Sequence, residues 1–410
     1  MQDIRQILHV KIESPYWDEA YATALAQPEI PKWLTEEYLR WLQADREVLP
    51  KQIDHIVAAA KAVSQVKELV LLAKTLANIL VYKDPQTGAY VVRPSKEAFP
   101  EFEIPKAPEG TEDTLAYDSV CIFPLIAHLE ETYDVLAARG IDRDVVIKTT
   151  AYFDGSLAYN AHLSISKSHF LLYPAYIYRK ELYIERLRFE PRAQSPYSIR
   201  VYANENDELV IFMDNVRIHR SGHVLGAYGF ADEEGSYLAE VLEDGDFYEG
   251  HAVCQETYLV ESHTTKLPKG QWRLVHKKGD AIVRVHIAPG PGLTKENCEH
   301  AYMRAKDIFK RCYPEYDFKG FTTYTWMLSP GLIPVLKEGG NLYHFREKYT
   351  KFPACSEAID VFLYVYHMTV KTPAEVDFTL LSDDNSMRRG VKEQLLKGNY
   401  IQESGGFFLM

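Results

Sequence analysis

A histidine and a glycine-rich turn lie close together in the segment AIVRVHIAPGPGLTKENC, residues 281–298. His286 carries an imidazole whose ordinary pKa of about 6.5 suits it to accept a proton near neutral pH. The turn Pro289-Gly290-Pro291-Gly292 is followed by Thr294, a favourable residue for beginning a helix. Because a helix N-terminus attracts anions, the segment combines a candidate base with a candidate anion site.

The turn supports two interpretations. In the first, a phosphate is held by main-chain N–H groups and one lysine: Gly290, Gly292, Leu293, Thr294 and Lys295. Pro289 and Pro291 have no N–H, which weakens that interpretation. In the second, the glycines only supply the backbone angles that a strand-to-helix connection needs.

The flanking residues indicate which elements would position these groups. Apolar residues alternate with Arg284 and His286 over 282–287, which predicts a strand with one polar face. The apolar residues that follow Thr294 have helical spacing and predict an amphipathic helix that ends before Pro314: Cys298, Ala301, Tyr302, Ala305, Ile308, Phe309 and Cys312.

Other polar clusters suggest metal or hydrolase chemistry less strongly. The runs HRSGH, SISKSH and SHTTK contain histidine and serine, but Gly222 separates His219 from His223 and no cysteine or aspartate pattern completes a metal site. No G-x-S-x-G motif surrounds Ser166 or Ser168. We therefore expect no metal and no serine-hydrolase site.

Composition limits the class of protein. The chain has 410 residues, 46% hydrophobic, with a net charge of -12, which disfavours a general nucleic-acid binder. Its five cysteines are far apart and form no CxxC pair, so a reduced, cytoplasmic protein is expected. The most apolar segment, residues 66–83, is interrupted by charged residues and predicts a core helix, with no membrane span.

The pattern along the chain predicts two domains. Helical periodicity dominates residues 1–83, 115–140 and 142–163, whereas strand patterns begin near residue 180. We place a helical domain at residues 1–175 and a second domain at 176–410. The predicted fold class is α+β: helices first, then a mixed, mostly antiparallel sheet flanked by helices.

The second half resembles a known family, on residues whose order and spacing match it together: Tyr248-Glu249-Gly250-His251, Leu267-Pro268, Gly279-Asp280, His286 to Gly290, Leu293-Thr294, Tyr313-Pro314, Trp326, Leu328, Asn341, Phe345 and the final SGGFFLM. That family comprises bacterial acyltransferase-domain proteins with a helical N-acyltransferase N-terminal domain and a GNAT-like C-terminal domain. The resemblance covers roughly residues 180–410. At 323–326 this chain has Thr-Tyr-Thr-Trp where the family commonly has Cys-His-Ser-Trp, so cysteine or histidine chemistry there is not carried over.

The resemblance implies a strand that splays from its neighbour and holds acyl-CoA in the gap. Residues 281–288 would be that strand, diverging from the strand near 321–328, with main-chain groups of Val285 and Ile287 pairing with the pantetheine. Residues 289–295 would hold the pyrophosphate. Asn341 could contact the pantetheine or could simply end a helix. The implied co-substrate is acetyl-CoA or another acyl-CoA, and the implied acceptor is a small-molecule or peptide amine.

Acyl transfer to an amine requires a base, and an acid can protonate the leaving thiolate. His286 is the first candidate base, with a structural histidine bonded within its sheet as the alternative. Glu249 with His251 is the second candidate, with a plain turn before a strand as the alternative. Tyr324 and Tyr343 are candidate acids among 28 tyrosines. Two alternatives stay open: a GNAT-like protein that binds a ligand without catalysis, and an enzyme of another class, such as a hydrolase, that uses a cleft between the domains.

Overall fold

The computed structural model describes residues 3–49, 51–84, 86, 88, 90–151, 157–159, 162–172, 181–288, 290 and 292–410. These residues divide into two compact units, Met1–Ile184 and Glu185–Met410. The predicted domain boundary at 175/176 lies in 173–180, outside the described residues, so it stays a prediction. Among the described residues, no helix has the length and apolar character that crossing a membrane requires.

The first unit is mainly helical. Its α-helices are α1 (Ile4–Ile7), α2 (Trp17–Leu25), α3 (Glu36–Arg46), α4 (Ile53–Ser64), α5 (Lys67–Leu80), α6 (Ser95–Ala98), α7 (Leu115–Ser119), α8 (Phe123–Ile126), α9 (Leu129–Ala138), α10 (Arg143–Ala151) and α11 (Lys167–Leu172), with 3-10 turns at Lys32–Leu34 and Val120–Ile122. Its short strands are β1 (Ile12–Glu13), β2 (Val81–Lys83), β3 (Tyr90–Val92), β4 (Glu101–Phe102), β5 (Leu157–Tyr159), β6 (Leu163–Ile165) and β7 (Leu182–Ile184).

The helical expectation for residues 142–163 is wrong in its second half. Helix α10 covers Arg143–Ala151, but β5 and β6 pair antiparallel from Leu157 to Ile165. The pattern of this short segment does not distinguish a buried helix from a strand, and the pairing between β5 and β6 decides the outcome.

Among its described residues, the second unit contains two large sheets, one two-stranded sheet and four α-helices. Its strands are β8 (Leu187–Arg192), β9 (Ile199–Ala203), β10 (Leu209–Met213), β11 (Val216–Ile218), β12 (Tyr237–Ala239), β13 (Leu242–Glu243), β14 (Phe247–Val253), β15 (Val260–Pro268), β16 (Arg273–Lys277), β17 (Ile282–Ile287), β18 (Gly320–Thr325), β19 (Thr350–Pro353) and β20 (Ser404–Leu409). Its helices are α12 (Lys295–Cys312), α13 (Asn341–Glu347), α14 (Asp360–Tyr366) and α15 (Ser386–Leu396), with 3-10 turns at Trp326–Leu328, Pro330–Leu332, Pro373–Glu375 and Phe378–Leu380.

The strand that carries His286 lies in the middle of a sheet. In this sheet the strands of the second unit run in the order β8-β17-β18-β20-β19, and only the β17–β18 pair is parallel. Strands β9, β10, β13, β14, β15 and β16 form the other sheet. Strand β16 and strand β17, though consecutive in the chain, therefore belong to different sheets. This mixed, mostly antiparallel arrangement confirms the predicted fold class.

Helix α12 covers the apolar face of the first sheet. It buries all seven residues of the stripe predicted from the sequence. Phe189 on β8 contacts both Tyr302 and Phe309 of this helix, with ring centroids 6.1 and 6.4 Å apart. Burial of these aromatic side chains fixes the helix against the sheet, at roughly 1.5–3 kcal/mol per large apolar side chain. On the opposite face, β8 carries Arg188, Glu190 and Arg192, and β17 carries Arg284 and His286 beside the buried Ile282.

Candidate functional site

Strands β17 and β18 are paired only at their beginning. Val283 pairs with Phe321 and Arg284 with Thr322, and the ladder stops there. Beyond that point, Val285 O accepts a hydrogen bond from the Thr323 hydroxyl at 3.0 Å, where a continuing ladder would supply a main-chain N–H. The two strands therefore diverge towards their C-terminal ends, which confirms the divergence expected from the sequence.

The divergence leaves main-chain groups of β17 facing the gap. In a strand, the N–H and C=O of alternate residues point to the same side. Since the carbonyl of Val285 points towards β18, the N–H and C=O of Ile287 point the same way, and no residue of β18 pairs with Ile287. Ile287 thus offers one donor and one acceptor to an extended ligand.

A cavity of about 470 Å³ occupies this gap. Its walls are formed by Arg186, Arg188, Val285, His286, Ile287, Ala288, Gly290, Leu293, Thr323, Tyr324, Thr325, Trp326, Met327, Asp360 and Tyr364. We call it the splay cavity. It is large enough to enclose part of a coenzyme-sized molecule, and it combines apolar walls with cationic and titratable side chains.

The glycine-rich turn forms one end of the splay cavity. Gly290 and Gly292 have φ angles of 114° and 88°, which L side chains rarely adopt. Their N–H groups and that of Leu293 donate to no acceptor in the described part of the chain. Thr294 caps α12 by accepting from the N–H of Asn297 at 3.2 Å. Pro289 and Pro291 lie outside the described residues.

Arg186 forms hydrogen bonds with main-chain carbonyl groups at the glycine-rich turn. Its guanidinium donates to Ala288 O and to Gly290 O, both at 2.6 Å, and it also lines the splay cavity. A fixed guanidinium beside unpaired N–H groups makes this end of the cavity suitable for an anion such as phosphate. Sequence reasoning missed Arg186 and Arg188. Arg186 immediately precedes β8 and Arg188 lies on it, and no local sequence pattern marks either as a site residue.

His286 contacts a half-buried carboxylate through one ring nitrogen. Its Nε2 lies 3.0 Å from Oε2 of Glu190 on the neighbouring strand β8. Arg192 forms an ion pair with the same carboxylate at 3.0 Å. Burial raises the pKa of Glu190, but the hydrogen bond from His286 and the charge of Arg192 outweigh burial and lower it to about 2. Glu190 is therefore an acceptor at neutral pH, and Nε2 must carry the proton between them.

The second ring nitrogen of His286 is available to a substrate. Burial lowers the pKa of His286, and the charges of Arg284 and Arg188 add to burial against the raising effect of Glu190. The ring is consequently neutral near pH 7, with Nε2 protonated and Nδ1 carrying a lone pair. Nδ1 accepts no hydrogen bond from the described residues, and the side chain lines the splay cavity, 24% exposed. The imidazole thus has the protonation state of a general base.

Tyr324 lies across the gap from His286. Arg284 and Thr322 form the last ladder pair. His286 and Tyr324 each lie two positions beyond that pair, on the same face of the diverging strands. The Tyr324 hydroxyl donates to Cys355 O at 3.2 Å. Burial raises the pKa of Tyr324, and the carboxylates of Glu403 and Asp360 raise it further, so the hydroxyl keeps its proton.

Two carboxyl groups lie beyond Tyr324 at the start of α14. Asp360 lines the splay cavity, and Glu403 is buried behind it, 4% exposed. Glu403 accepts hydrogen bonds from the Ser356 hydroxyl and from the N–H groups of Ala358 and Asp360. Burial and the negative charge of Glu403 raise the pKa of Asp360 to about 6. Neither carboxyl was identified from the sequence.

The remaining predicted site residues do not line the splay cavity. Glu249 lies on β14 in the other sheet, where it accepts from Thr264 at 2.8 Å and pairs with Lys266 at 3.3 Å. Asn341 begins helix α13, so the expectation that it could end a helix is wrong, and Tyr343 lies on the same helix. Lys295 lines a separate cavity of about 190 Å³. The site roles of these residues stay predictions.

The HRSGH run forms a local polar chain of its own. Ser221 Oγ lies 2.6 Å from Nδ1 of His219 and 3.0 Å from Nδ1 of His223. His219 Nε2 contacts Glu233 at 2.6 Å. None of these side chains lines the splay cavity.

Comparisons with known proteins agree on the fold. Residues 182–408 match the family described as "GNAT-like C-terminal domain". Among solved structures, the chain is similar to an acyltransferase in complex with decanoyl-CoA and teicoplanin (15% identity, TM-score 0.59) and to one with decanoyl-CoA (15%, 0.57). It is also similar to an acyltransferase in complex with CoA and 10C-teicoplanin (16%, 0.57), and each likeness covers 99% of this chain and 98% of the other. Comparison with curated proteins finds no match.

Proposed function

This chain belongs to the family with a GNAT-like C-terminal domain, and from that premise we propose that it is an acyl-CoA-dependent N-acyltransferase. The observation that carries the proposal is the end of the β17–β18 ladder at Arg284 and Thr322. It opens a cavity between two strands that contains His286 and Tyr324. The acyltransferases of similar fold were solved with decanoyl-CoA or CoA, which supports the same class of co-substrate here.

The splay cavity offers matching groups for each part of an acyl-CoA. The N–H and C=O of Ile287 would pair with the amide groups of the pantetheine arm, as a neighbouring strand would. The turn and Arg186 would bind the pyrophosphate. Trp326, Met327 and Tyr364 give the cavity apolar wall area for an acyl chain.

The proposed reaction transfers the acyl group from sulfur to nitrogen. Nδ1 of neutral His286 takes a proton from the amine as the amine nitrogen attacks the thioester carbonyl. The carbon–sulfur bond then breaks, and the thiolate leaves with the electron pair of that bond. Tyr324 keeps its proton, and its hydroxyl would turn from Cys355 O to donate a hydrogen bond to the departing sulfur. The His286 proton passes to solvent or to the thiolate, which restores the neutral ring.

A thermal-shift series combined with thiol detection tests this proposal. Free CoA, acetyl-CoA and decanoyl-CoA are each titrated, and a ligand that binds the folded state raises Tm with its concentration. Release of free thiol is then followed after a primary amine is added. We expect a concentration-dependent Tm rise and amine-dependent thiol release. A Tm rise without thiol release would instead favour the non-catalytic ligand-binding protein, and the absence of both would contradict the proposal.

A further inference from the structure

We propose that the splay cavity contains a binding subsite for an ammonium group at Asp360, so that the acceptor is an amine that is protonated in water. The inference rests on the proposed function, because it names the class of acceptor that the same cavity would take. Its basis is the juxtaposition of Asp360 and Glu403 with the wall formed by Tyr324.

The carboxyl groups of Asp360 and Glu403 are not compensated by a positively charged side chain of the described residues. No lysine, arginine or histidine lies within ion-pair distance of Asp360 or Glu403 in the described part of the chain. Carboxylates removed wholly or partly from water, as Glu403 and the half-buried Asp360 are, carry a cost unless they are paired or hydrogen-bonded. Glu403 meets this requirement with three donors, whereas Asp360 accepts no hydrogen bond from the described residues. Asp360 is therefore the member of the pair that an external cation would complete.

The location of Asp360 favours a substrate over a structural partner. Its side chain lines the same cavity as His286 and Tyr324, and Tyr364 from the same helix α14 forms part of that wall. The lining also carries Arg186 and Arg188, which repel a cation and attract the phosphates of CoA. The two signs of charge would thus direct the amine and the coenzyme to different side chains of one cavity.

The subsite binds the acceptor in its protonated form, so the amine must lose one proton before it attacks. That first proton passes to water, and neutral His286 accepts the second proton as the free amine attacks the thioester carbonyl. An alcohol of the same length lacks the charge and gains nothing from Asp360. The subsite therefore selects amines over alcohols by electrostatics, with little dependence on the shape of the rest of the acceptor.

Calorimetric titration with hexylammonium chloride tests the subsite without any need for turnover. The native protein, the Asp360→Asn variant and an Asp317→Asn control are compared at pH 7.5, with 1-hexanol as an uncharged probe. Asparagine has nearly the same size as aspartate, and Asp317 is an exposed carboxylate beside Lys319. We expect saturable hexylammonium binding in the native and control proteins, at least tenfold weaker binding in Asp360→Asn, and no such difference for hexanol.

Equal hexylammonium affinity in the native protein and Asp360→Asn would overturn the subsite, as would the absence of binding to the native protein. Thermal shift with decanoyl-CoA on the same samples separates this failure from failure of the proposed function. If decanoyl-CoA raises Tm equally in all three proteins while hexylammonium does not discriminate between them, only the ammonium subsite is wrong.

Discussion

Nε2 of His286 lies 3.0 Å from Oε2 of Glu190, so a carboxylate on one strand orients an imidazole on the next. Because Glu190 is ionised, it fixes the proton on Nε2 and leaves Nδ1 as the acceptor. Under the proposed function, Glu190 would therefore be a positioning residue and His286 the base.

His286→Gln tests the base directly. Glutamine retains a polar side chain that can donate to Glu190 but cannot accept a proton near pH 7. We expect folding and CoA binding to persist and the acyl-transfer rate to fall about a hundredfold or more, the scale of a lost general base. Steady-state kinetics alongside a melting curve measure both effects. A lower Tm with nearly unchanged turnover would mean that His286 is a structural residue.

Glu190→Gln tests the positioning role. Loss of the negative charge removes the interaction that raises the pKa of His286, so that pKa should fall further. We expect a lower kcat and an acidic limb of the kcat–pH profile displaced to lower pH, because the base stays neutral to lower pH but is weaker. Glu243→Gln, which removes a carboxylate that pairs with Arg200 in the other sheet, is the control. An unchanged pH profile would mean that Glu190 does not influence the pKa of His286.

Gly292→Asp tests whether the turn binds an anion. Gly292 has a φ of 88°, so any side chain there strains the backbone as well as adding charge. Gly279→Asp is the matched control, because Gly279 has a φ of 92° in a different turn and open space around it. We expect CoA affinity, measured by calorimetry, to fall in Gly292→Asp but not in Gly279→Asp. Equal affinities in the two variants would leave the turn with only a structural role.

Arg186→Gln tests the same end of the cavity by removing a positive charge. Its loss should weaken CoA binding about tenfold, as expected for one charge-assisted contact, and should reduce the salt dependence of binding. Arg217→Gln is the control, since Arg217 forms an exposed ion pair with Asp232. CoA affinity and salt dependence equal to those of the control would exclude Arg186 from phosphate binding.

Asp360→Asn should make the protein more stable at alkaline pH. The folded-state pKa of Asp360 is about 6, above its ordinary 3.8, so stability from this group is fully present below pH 3.8 and is lost as pH rises through 6. The shift corresponds to about 3 kcal/mol without screening and to roughly 1–2 kcal/mol for a partly exposed group. Urea unfolding should show that gain at pH 8 and a smaller gain at pH 4. A loss of stability at pH 8 would indicate a structural role.

The sequence predicted the strand and the helix that form the site, but it did not identify the site residues that come from other elements. Period-two alternation over 282–287 and the helical stripe after Thr294 are local patterns, and both are confirmed. Glu190 and Arg186 reach the site from β8, about 100 residues earlier in the chain, and Asp360 reaches it from α14. No local pattern specifies which strand lies beside β17, so these residues become visible only when the sheet order is known.

The separation between Glu249 and His286 shows the same limit. Both lie on strands with polar faces, and the sequence offers no means to decide whether those strands share a sheet. The structure puts Glu249 on β14 in one sheet and His286 on β17 in the other.

Identification of the product tests the proposed activity most directly. The native protein is incubated with decanoyl-CoA and a primary amine, and amide and free CoA are quantified together by mass spectrometry. We predict that amide and CoA appear in a ratio near one and that both fall about a hundredfold or more in His286→Gln. CoA without amide would identify a thioester hydrolase, and the absence of both products despite decanoyl-CoA binding would contradict catalysis.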